Sequence, residues 1–482
     1  MALSDAMRRL ERKWAAGNGW PKRLEWLELQ KIRGWSGQRI PFDFPIVAIV
    51  GENGSGKSTL LQASACVYRG ASEGRTFFPS EFFPETAWDK IEEAVITFGY
   101  QQGATHQSGS IRKPTSRWLG QPDRPERAVS YIDLSRLQPV GTRVGYARIA
   151  KNKHKEQSAR LFADARLKRF SEVMGREYQS ARFALSDYDA NRPIPVLSKN
   201  DSEYSGFHQG SGETTIAELL DVDFPKYGLV LIDEIESSLH PRAQRRLMRD
   251  LAEAARLQEC QIIISTHSPY ILEELPLRAR NYILETGRSK EIVTGVSPQF
   301  AMTKMDDENH PECELFVEDE NAKTLLGEIL ATHCRDLVQR CQIIPYGAAN
   351  LGVALGQIAA AGRFPRPTVV FLDGDSDQST GCSILPGGDA PERAVFGSLR
   401  SRQPQWGDLW VRIGRDLAST ADACQRAMLI GDHHDWVKHA ANSLQLSGMT
   451  LWQAMCAEYA SKLTQQEVDP IRVSIETTLL DR

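Results

Sequence analysis

Ile46–Val47–Ala48–Ile49–Val50–Gly51–Glu52–Asn53–Gly54–Ser55–Gly56–Lys57–Ser58 is the stretch on which the fold turns. Residues 46–50 read as a strand, and an apolar-faced helix starts near Thr59. Between them, GENGSGKS fits the pattern GxxxxGK[ST] in full and sits in the strand–loop–helix context that gives the pattern meaning. Glycines let backbone N–H groups turn inward around phosphate oxygens, and the following helix N-terminus adds its positive dipole. Gly51, Asn53, Gly54, Gly56, Lys57, Ser58 and Thr59 are the candidate nucleotide-binding residues. Lys57 is placed to reach the β- and γ-phosphates of ATP and Ser58 to hold Mg²⁺. A chance glycine-rich turn is the competing reading, and the flanking strand and helix weigh against it.

Downstream, residues 228–232 and 262–264 are apolar strands, and residues 243–257 have helical spacing. Strand, helix and strand in that order imply a parallel sheet with helices on its faces. The first of these strands ends in Asp233–Glu234. Asp233 is placed to bind Mg²⁺ through water, and Glu234 to polarise an attacking water. A surface turn could also carry two adjacent acids, but the phosphate loop in the same chain favours the chemical reading.

Upstream, residues 24–33 alternate as a strand, and residues 70–150 mix short strands (94–98 and 129–134) with loops. Residues 151–185 read as a helical, charged insertion. Its Lys151, Lys153, Lys155, Arg160, Arg166, Lys168 and Arg169 offer either phosphate contacts or an ordinary solvated face. Residues 289–311 are polar and contain proline, as a linker would. A second α/β pattern follows, with strands at 314–317, 342–345 and 368–372 and helices at 322–332 and 352–361. The last eighty or so residues read as mainly helical, with Leu444, Leu446, Leu451, Trp436 and Trp452 as their core.

The 482 residues suggest several domains at ~150 residues each. There are 58 basic and 62 acidic residues, a formal charge of −4, with 41% of residues hydrophobic. This excludes disordered, collagen-like and bulk-charge nucleic-acid-coating classes. No apolar run approaches the ~18 residues of a membrane span, and the charged N-terminus is unlike a secretory signal. Eight scattered cysteines without a CxxC pair give neither a zinc site nor a disulfide framework, so a reduced cytoplasm is expected.

Gly210–Ser211–Gly212–Glu213, Glu236–Ser237–Ser238–Leu239–His240–Pro241 and Ile264–Ser265–Thr266–His267–Ser268–Pro269 together resemble the ATP-binding-cassette ATPases of the SMC type. In that resemblance, Ser211 and Gly212 belong to the signature turn that contacts ATP on an opposite protomer. It also gives His267 a place beside the catalytic Glu234 and makes Gln138 the candidate glutamine-loop residue. Two heads, as a homodimer or higher oligomer, are then required for hydrolysis.

A second acidic site follows. Leu315–Phe316–Val317 ends in Glu318, and Val369–Val370–Phe371–Leu372 ends in Asp373–Gly374–Asp375, with Asp377 close by. Adjacent parallel strands ending this way converge carboxylates on one sheet edge, where hard oxygen ligands suit Mg²⁺ or Mn²⁺. Two such ions could serve an in-line displacement at phosphorus. A solvated acidic strand end is the bland alternative.

With Pro345–Tyr346–Gly347 and Leu385–Pro386–Gly387, this pattern resembles a Toprim domain. An ABC-type ATPase followed by Toprim is the arrangement of the OLD (overcoming lysogenization defect) nucleases, and it is also seen in Gabija; Septu and retron-associated ATPases are related. The resemblance implies an α/β protein. Its parts would be an ABC/SMC-type P-loop ATPase domain over 1–295, a linker over 296–312, a Toprim-like domain over 313–400 and a helical C-terminal subdomain over 401–482. It implies an ATP-gated, divalent-metal-dependent DNA endonuclease of bacterial antiviral defence, with Glu318, Asp373 and Asp375 catalytic. Asp319 stands where the family usually has Gly, and Ala322 where it carries a second acid; Asp319, Glu320 or Glu392 are the available substitutes. The alternative is a regulatory ATPase with a degenerate Toprim that controls a separate partner nuclease or retron component. His433–His434, flanked by Asp432 and Asp435, reads as a satisfied polar turn because one segment alone contributes to it.

Overall fold

Three strands without a polar face set the middle of the first unit. In the computed structural model, Ile46–Gly51, Leu229–Asp233 and Gln261–Thr266 are buried along their whole length, as befits a parallel sheet covered on both sides. The structure describes the chain apart from residues 1–2, 18, 72–73, 135–139, 144–145, 152–154, 190, 288, 307, 309, 348, 403 and 481–482. It forms two units, Met1–Met305 and Asp306–Arg482.

The central sheet of the first unit has the order Ser289–Thr294, Arg280–Thr286, Ile46–Gly51, Gln261–Thr266, Leu229–Asp233, Val129–Asp133. All neighbours are parallel except the hairpin at one edge. Asp233 lies opposite Asp133, and Thr266 opposite Val50, so several strands finish at one edge. In open α/β sheets the crevice beyond that edge is where ligands bind. Between two of these strands runs the helix Pro241–Gln258, which turns Leu247, Met248, Leu251, Ala252 and Ala255 into the core. Proline at its first turn lacks an N–H that would be unsatisfied there anyway.

Two antiparallel sheets complete this unit, one of them built from Glu156–Leu161, Ser180–Ser186, Ile194–Lys199 and Ser202–Ser205. The expected helical insertion over 151–185 is therefore corrected. Only Asp164–Met174 is helical within its strand–helix–strand core, and it stops at Gly175, whose φ of 68° is the left-handed cap. The edge strand Glu156–Leu161 is exposed throughout, so its charges imitate a solvated helix face. What fixes it is out of sequence reach: Arg182 binds Glu156 on the adjoining edge strand and Glu203 on Ser202–Ser205 at the far edge of the sheet. The arginines of the basic run are paired, with Arg160 and Arg166 on Asp221 and Arg169 on Asp250 at 2.8 Å. Lys153 lies outside the described residues.

The expected linker over 296–312 differs too. Pro298–Met305 is a helix of the first unit, anchored by buried Ala301 and by Phe300 set edge-on to Tyr282 at 5.7 Å. The second unit carries the parallel order Cys341–Pro345, Cys313–Val317, Thr368–Leu372, Cys382–Ile384. Helices Leu417–Ala427, Trp436–Ser443, Gly448–Ala460 and Gln465–Leu480 follow. Their Trp452, Met455 and Ile475 share one core with Leu315, Leu325 and Phe371. The residues read as a separate helical subdomain over 401–482 thus bury their apolar faces on the same sheet and helices as residues 313–400. No helix among the described residues is long and apolar enough to cross a membrane. All eight cysteines are buried and free.

Candidate functional site

The phosphate loop bends through Gly54 and Gly56, with φ of 85° and 100°, a region that side-chain-bearing residues rarely enter. A Cβ on Gly56 would fall 2.6 Å from the Trp35 indole nitrogen, so the loop is also packed from beneath. Lys290 donates to the Ser55 carbonyl at 2.7 Å and pairs with Glu285. Lys57 opens the helix Lys57–Ala65 and donates to the carbonyls of Gly51 and Glu52 at 2.9 and 2.8 Å. It is 6% exposed. Burial lowers its pKa, and Glu234, Glu236 and Asp233 oppose that shift. Asn53 and Gly54 are exposed at the rim, Ser58 is half-buried and Thr59 buried.

Asp233 is buried at the end of its strand. Ser265, from the neighbouring strand, donates to its Oδ1, and the Tyr131 hydroxyl to its Oδ2 at 3.3 Å. The same Ser265 hydroxyl accepts the Glu234 N–H at 2.8 Å, where Glu234 takes a left-handed φ of 52°. One serine therefore positions both acids. Glu236 accepts from the His267 N–H, and burial raises its pKa. His267 is pushed down to about 4 by burial and then by the Lys57 charge, which keeps its ring neutral, and its Nε2 is buried without a partner. The structure thus gathers Lys57, Asp233, Glu234 and His267 at one edge. Ser265, Glu236 and Tyr131 complete the group; Glu236 and Ser265 lie in the strings that carry the family resemblance, and Tyr131 had no signal beyond its place in an apolar strand.

Ser211 is exposed at the start of the helix Ser211–Asp221. A Cβ on Gly212 would lie 2.9 Å from the Ser238 carbonyl, so this turn rests on the segment that follows Glu234. Glu213 accepts from Tyr178 at 2.6 Å and Tyr204 at 2.8 Å. Gln138 falls outside the described residues.

In the second unit, the pairs Leu315–Val369 and Phe316–Val370 bring two strands to a common edge, where Glu318 and Asp373 follow. Asp373 Oδ1 is buried without a hydrogen-bond partner. Burial, then the charges of Glu318, Asp319, Asp375 and Glu392, push its pKa up to about 8. Glu318 is raised by burial and by Asp319 and Asp375. Carboxylates that repel each other in this way fit a hard divalent cation. Asp377 stands exposed further along the loop, where its carbonyl accepts from Ser379 at 3.2 Å. Asp319 spends its carboxylate capping the helix Glu320–His333, accepting the Ala322 N–H at 2.7 Å, while Ala322 is fully buried.

Two family models match the first unit. One, for an AAA domain, covers residues 27–74; the other, an AAA domain described with the AbiEii toxin of type IV TA systems, covers residues 214–273. Between them they include the phosphate loop, Asp233, Glu234 and His267. Among curated proteins, the chain is 24% identical over 303 residues to Protein ea59 of Escherichia phage lambda, covering 55% of this chain and 54% of that protein. It is 30% identical over 122 residues to the Retron Vc95 probable ATPase of Vibrio cholerae, covering 22% and 23%. It is 57% identical over 44 residues to the OLD nuclease of Thermus scotoductus, covering 9% and 8%. The chain therefore spans about half the length of the first of these relatives and less of the others. Among solved structures, the SMC head domain from Thermotoga maritima is similar over 56% of this chain and 98% of that one, at 16% identity and a TM-score of 0.33. The Smc head of Pyrococcus furiosus bound to the C-terminal domain of ScpA covers 58% and 98%, at 14% identity and 0.36. The matches identify AAA-type P-loop segments in the first unit, a class that in general uses nucleotide and a divalent ion, and the chain is similar in part to an OLD nuclease and a retron ATPase.

Proposed function

We propose that this chain couples ATP turnover in its first unit to divalent-metal-dependent cleavage of DNA phosphodiesters at the acidic edge of its second, a Toprim-like site, in defence of a bacterial cell against phage. The observation that carries the nuclease half is the buried, unpartnered Asp373 Oδ1 beside Glu318 at the ends of adjacent parallel strands. The relatives named as an OLD nuclease and a retron ATPase support the setting.

In this reading the loop N–H groups of residues 51–56 and the Lys57 ammonium bind the ATP phosphates. Ser58 and Asp233 would hold Mg²⁺, whose chemistry when bound would be to offset negative charge on the phosphates. Glu234, oriented through Ser265, takes a proton from the attacking water. Neutral His267 holds its ring against the same edge as a hydrogen-bonding group. Ser211 serves the nucleotide of a second protomer, so that a homodimer or higher oligomer is the active form. At the second site, Glu318, Asp373 and Asp375 would hold Mg²⁺ or Mn²⁺, with Asp377 next along the loop, and such an ion would supply Lewis-acid stabilisation of charge at phosphorus.

A second reading rests on Asp319 and Ala322. With the first committed to a helix cap and the second a buried methyl, the helix Glu320–His333 offers no acid at the position of the missing ligand. The second unit would then be a scaffold, and a partner nuclease would cut. Supercoiled plasmid incubated with purified full-length chain and Mn²⁺ or Mg²⁺, with and without ATP, decides between them. Nicking or linearisation is expected; intact plasmid under every condition transfers the cutting to a partner.

A further inference from the structure

Glu392 is 1% exposed, on the first turn of the helix Pro391–Ser401. The His434 ring faces it, with Nδ1 3.6 Å from the Glu392 carboxylate. A carboxylate this deep is costly unless a cation meets it. His433 and His434 open a short turn that Asp432 caps by accepting the His434 N–H at 3.0 Å. Their rings lie 4.1 Å apart, and His433 is set edge-on to Trp436. One ligand atom from each of Glu392, His433 and His434 falls within 4.8 Å of the others. The sequence offered a single histidine-bearing segment; the fold adds a carboxylate about forty residues earlier.

We propose that Glu392, His433 and His434 bind a divalent transition ion of the imidazole-preferring class, represented by Zn²⁺, in preference to Mg²⁺ or Ca²⁺. Two imidazoles and one carboxylate are the donors that such ions select, and three protein ligands leave a position open to water or a phosphate oxygen. Asn321 donates to Glu392 Oε1 at 2.6 Å and fixes the carboxylate from outside. Asn321 stands on the helix that begins just after Glu318, so the ion flanks the acidic edge and supplies the cation that Ala322 cannot help to hold. That last role rests on the proposed nuclease reading; the binding itself does not.

The test uses full-length chain stripped with chelator, then dialysed against Zn²⁺ or Co²⁺ with excess Mg²⁺. Mass spectrometry of the metal should find about one transition ion retained per chain, the number one three-ligand site can hold. Co²⁺ should give visible absorption bands of nitrogen coordination. His434→Ala, which alters a mostly exposed side chain, and the double variant His433→Ala/His434→Ala should lose both signals. Asn321→Ala should weaken retention by about 10–100-fold, as loss of an orienting partner does. Asp373→Asn should keep the ion although it ends cleavage, so failure of the nuclease reading and failure of this site give different results. Wild type that retains no Zn²⁺ or Co²⁺ against Mg²⁺ overturns the proposal. So does retention that survives the histidine variants, or that vanishes in Asp373→Asn, since the ion would then belong to the acids alone.

Discussion

Both units end strands in acids at one sheet edge, yet the first edge sets a buried lysine among its acids and the second does not. In the first, Asp233, Glu234 and Glu236 surround a buried ammonium, and Ser265 and Tyr131 satisfy the innermost carboxylate. In the second, Glu318, Asp319, Asp373 and Asp375 press on one another, with His434 the nearest opposing group named and Asp373 Oδ1 without a partner. The same strand-end geometry thus makes one edge a seat for a polyanion and its ion, the other a seat for a cation alone. Whether a lysine lies within the ring of acids decides which.

The comparison breaks most clearly at the second edge. Asp373→Asn or Glu318→Ala should abolish plasmid cleavage while ATP hydrolysis stays within about twofold of wild type, because one lost carboxylate leaves too little charge to hold the ion. Loss of both activities would mean that the acids serve the fold. At the first edge, Glu234→Gln should bind ATP normally and hydrolyse it about 10²–10⁴-fold more slowly, the usual worth of a positioned base. A phosphate-release assay alongside fluorescent-nucleotide titration separates the two effects. Lys57→Ala leaves three acids without their cation and should cost about 2–5 kcal/mol of nucleotide affinity; unchanged affinity would remove the assignment.

A smaller effect tests the exposed turn at Ser211. Mixing Lys57→Ala chains with Ser211→Arg chains should restore part of the ATPase activity, since each mixed dimer keeps one intact composite site. Mixed dimers that form but stay inactive would confine Ser211 to its own chain.

The smallest effect is on stability. Asp373 folds with its pKa pushed up to about 8, above the ordinary 3.8. The folded chain therefore holds a proton that the unfolded chain has released, and stability falls as pH rises from about 4 through about 8. Metal-free protein should melt lower at pH 9 than at pH 6, and Asp373→Asn should flatten that slope. An equal slope in both proteins would place the titration elsewhere.

Much of this was legible because it is local. A strand, eight loop residues and a helix specify the phosphate seat, and two apolar runs ending in acids specify both edges. The partners that tune those acids were not legible. Ser265 reaches Asp233 across thirty-two positions, and Glu392 meets His434 only because a shared core folds the last helices onto the sheet. The strand Glu156–Leu161 was misread because every one of its side chains faces water, which removes the period-two signal on which strand recognition depends. Polarity and proline mark residues 296–312 as a boundary in the sequence, although buried Ala301 and the contact of Phe300 with Tyr282 dock a helix there.

The burial of all eight cysteines, six of them fully and Cys341 and Cys382 to 8% exposure, has a practical consequence. With every native thiol shielded from solvent, the folded chain should behave toward maleimides and similar reagents almost as a cysteine-free protein. A single cysteine introduced at an exposed position away from the nucleotide site, such as Ser108, would then carry a fluorophore, spin label or crosslinker at one known place. Distance measurements between two such labels could follow the approach of protomers during a nucleotide cycle without first rebuilding the core.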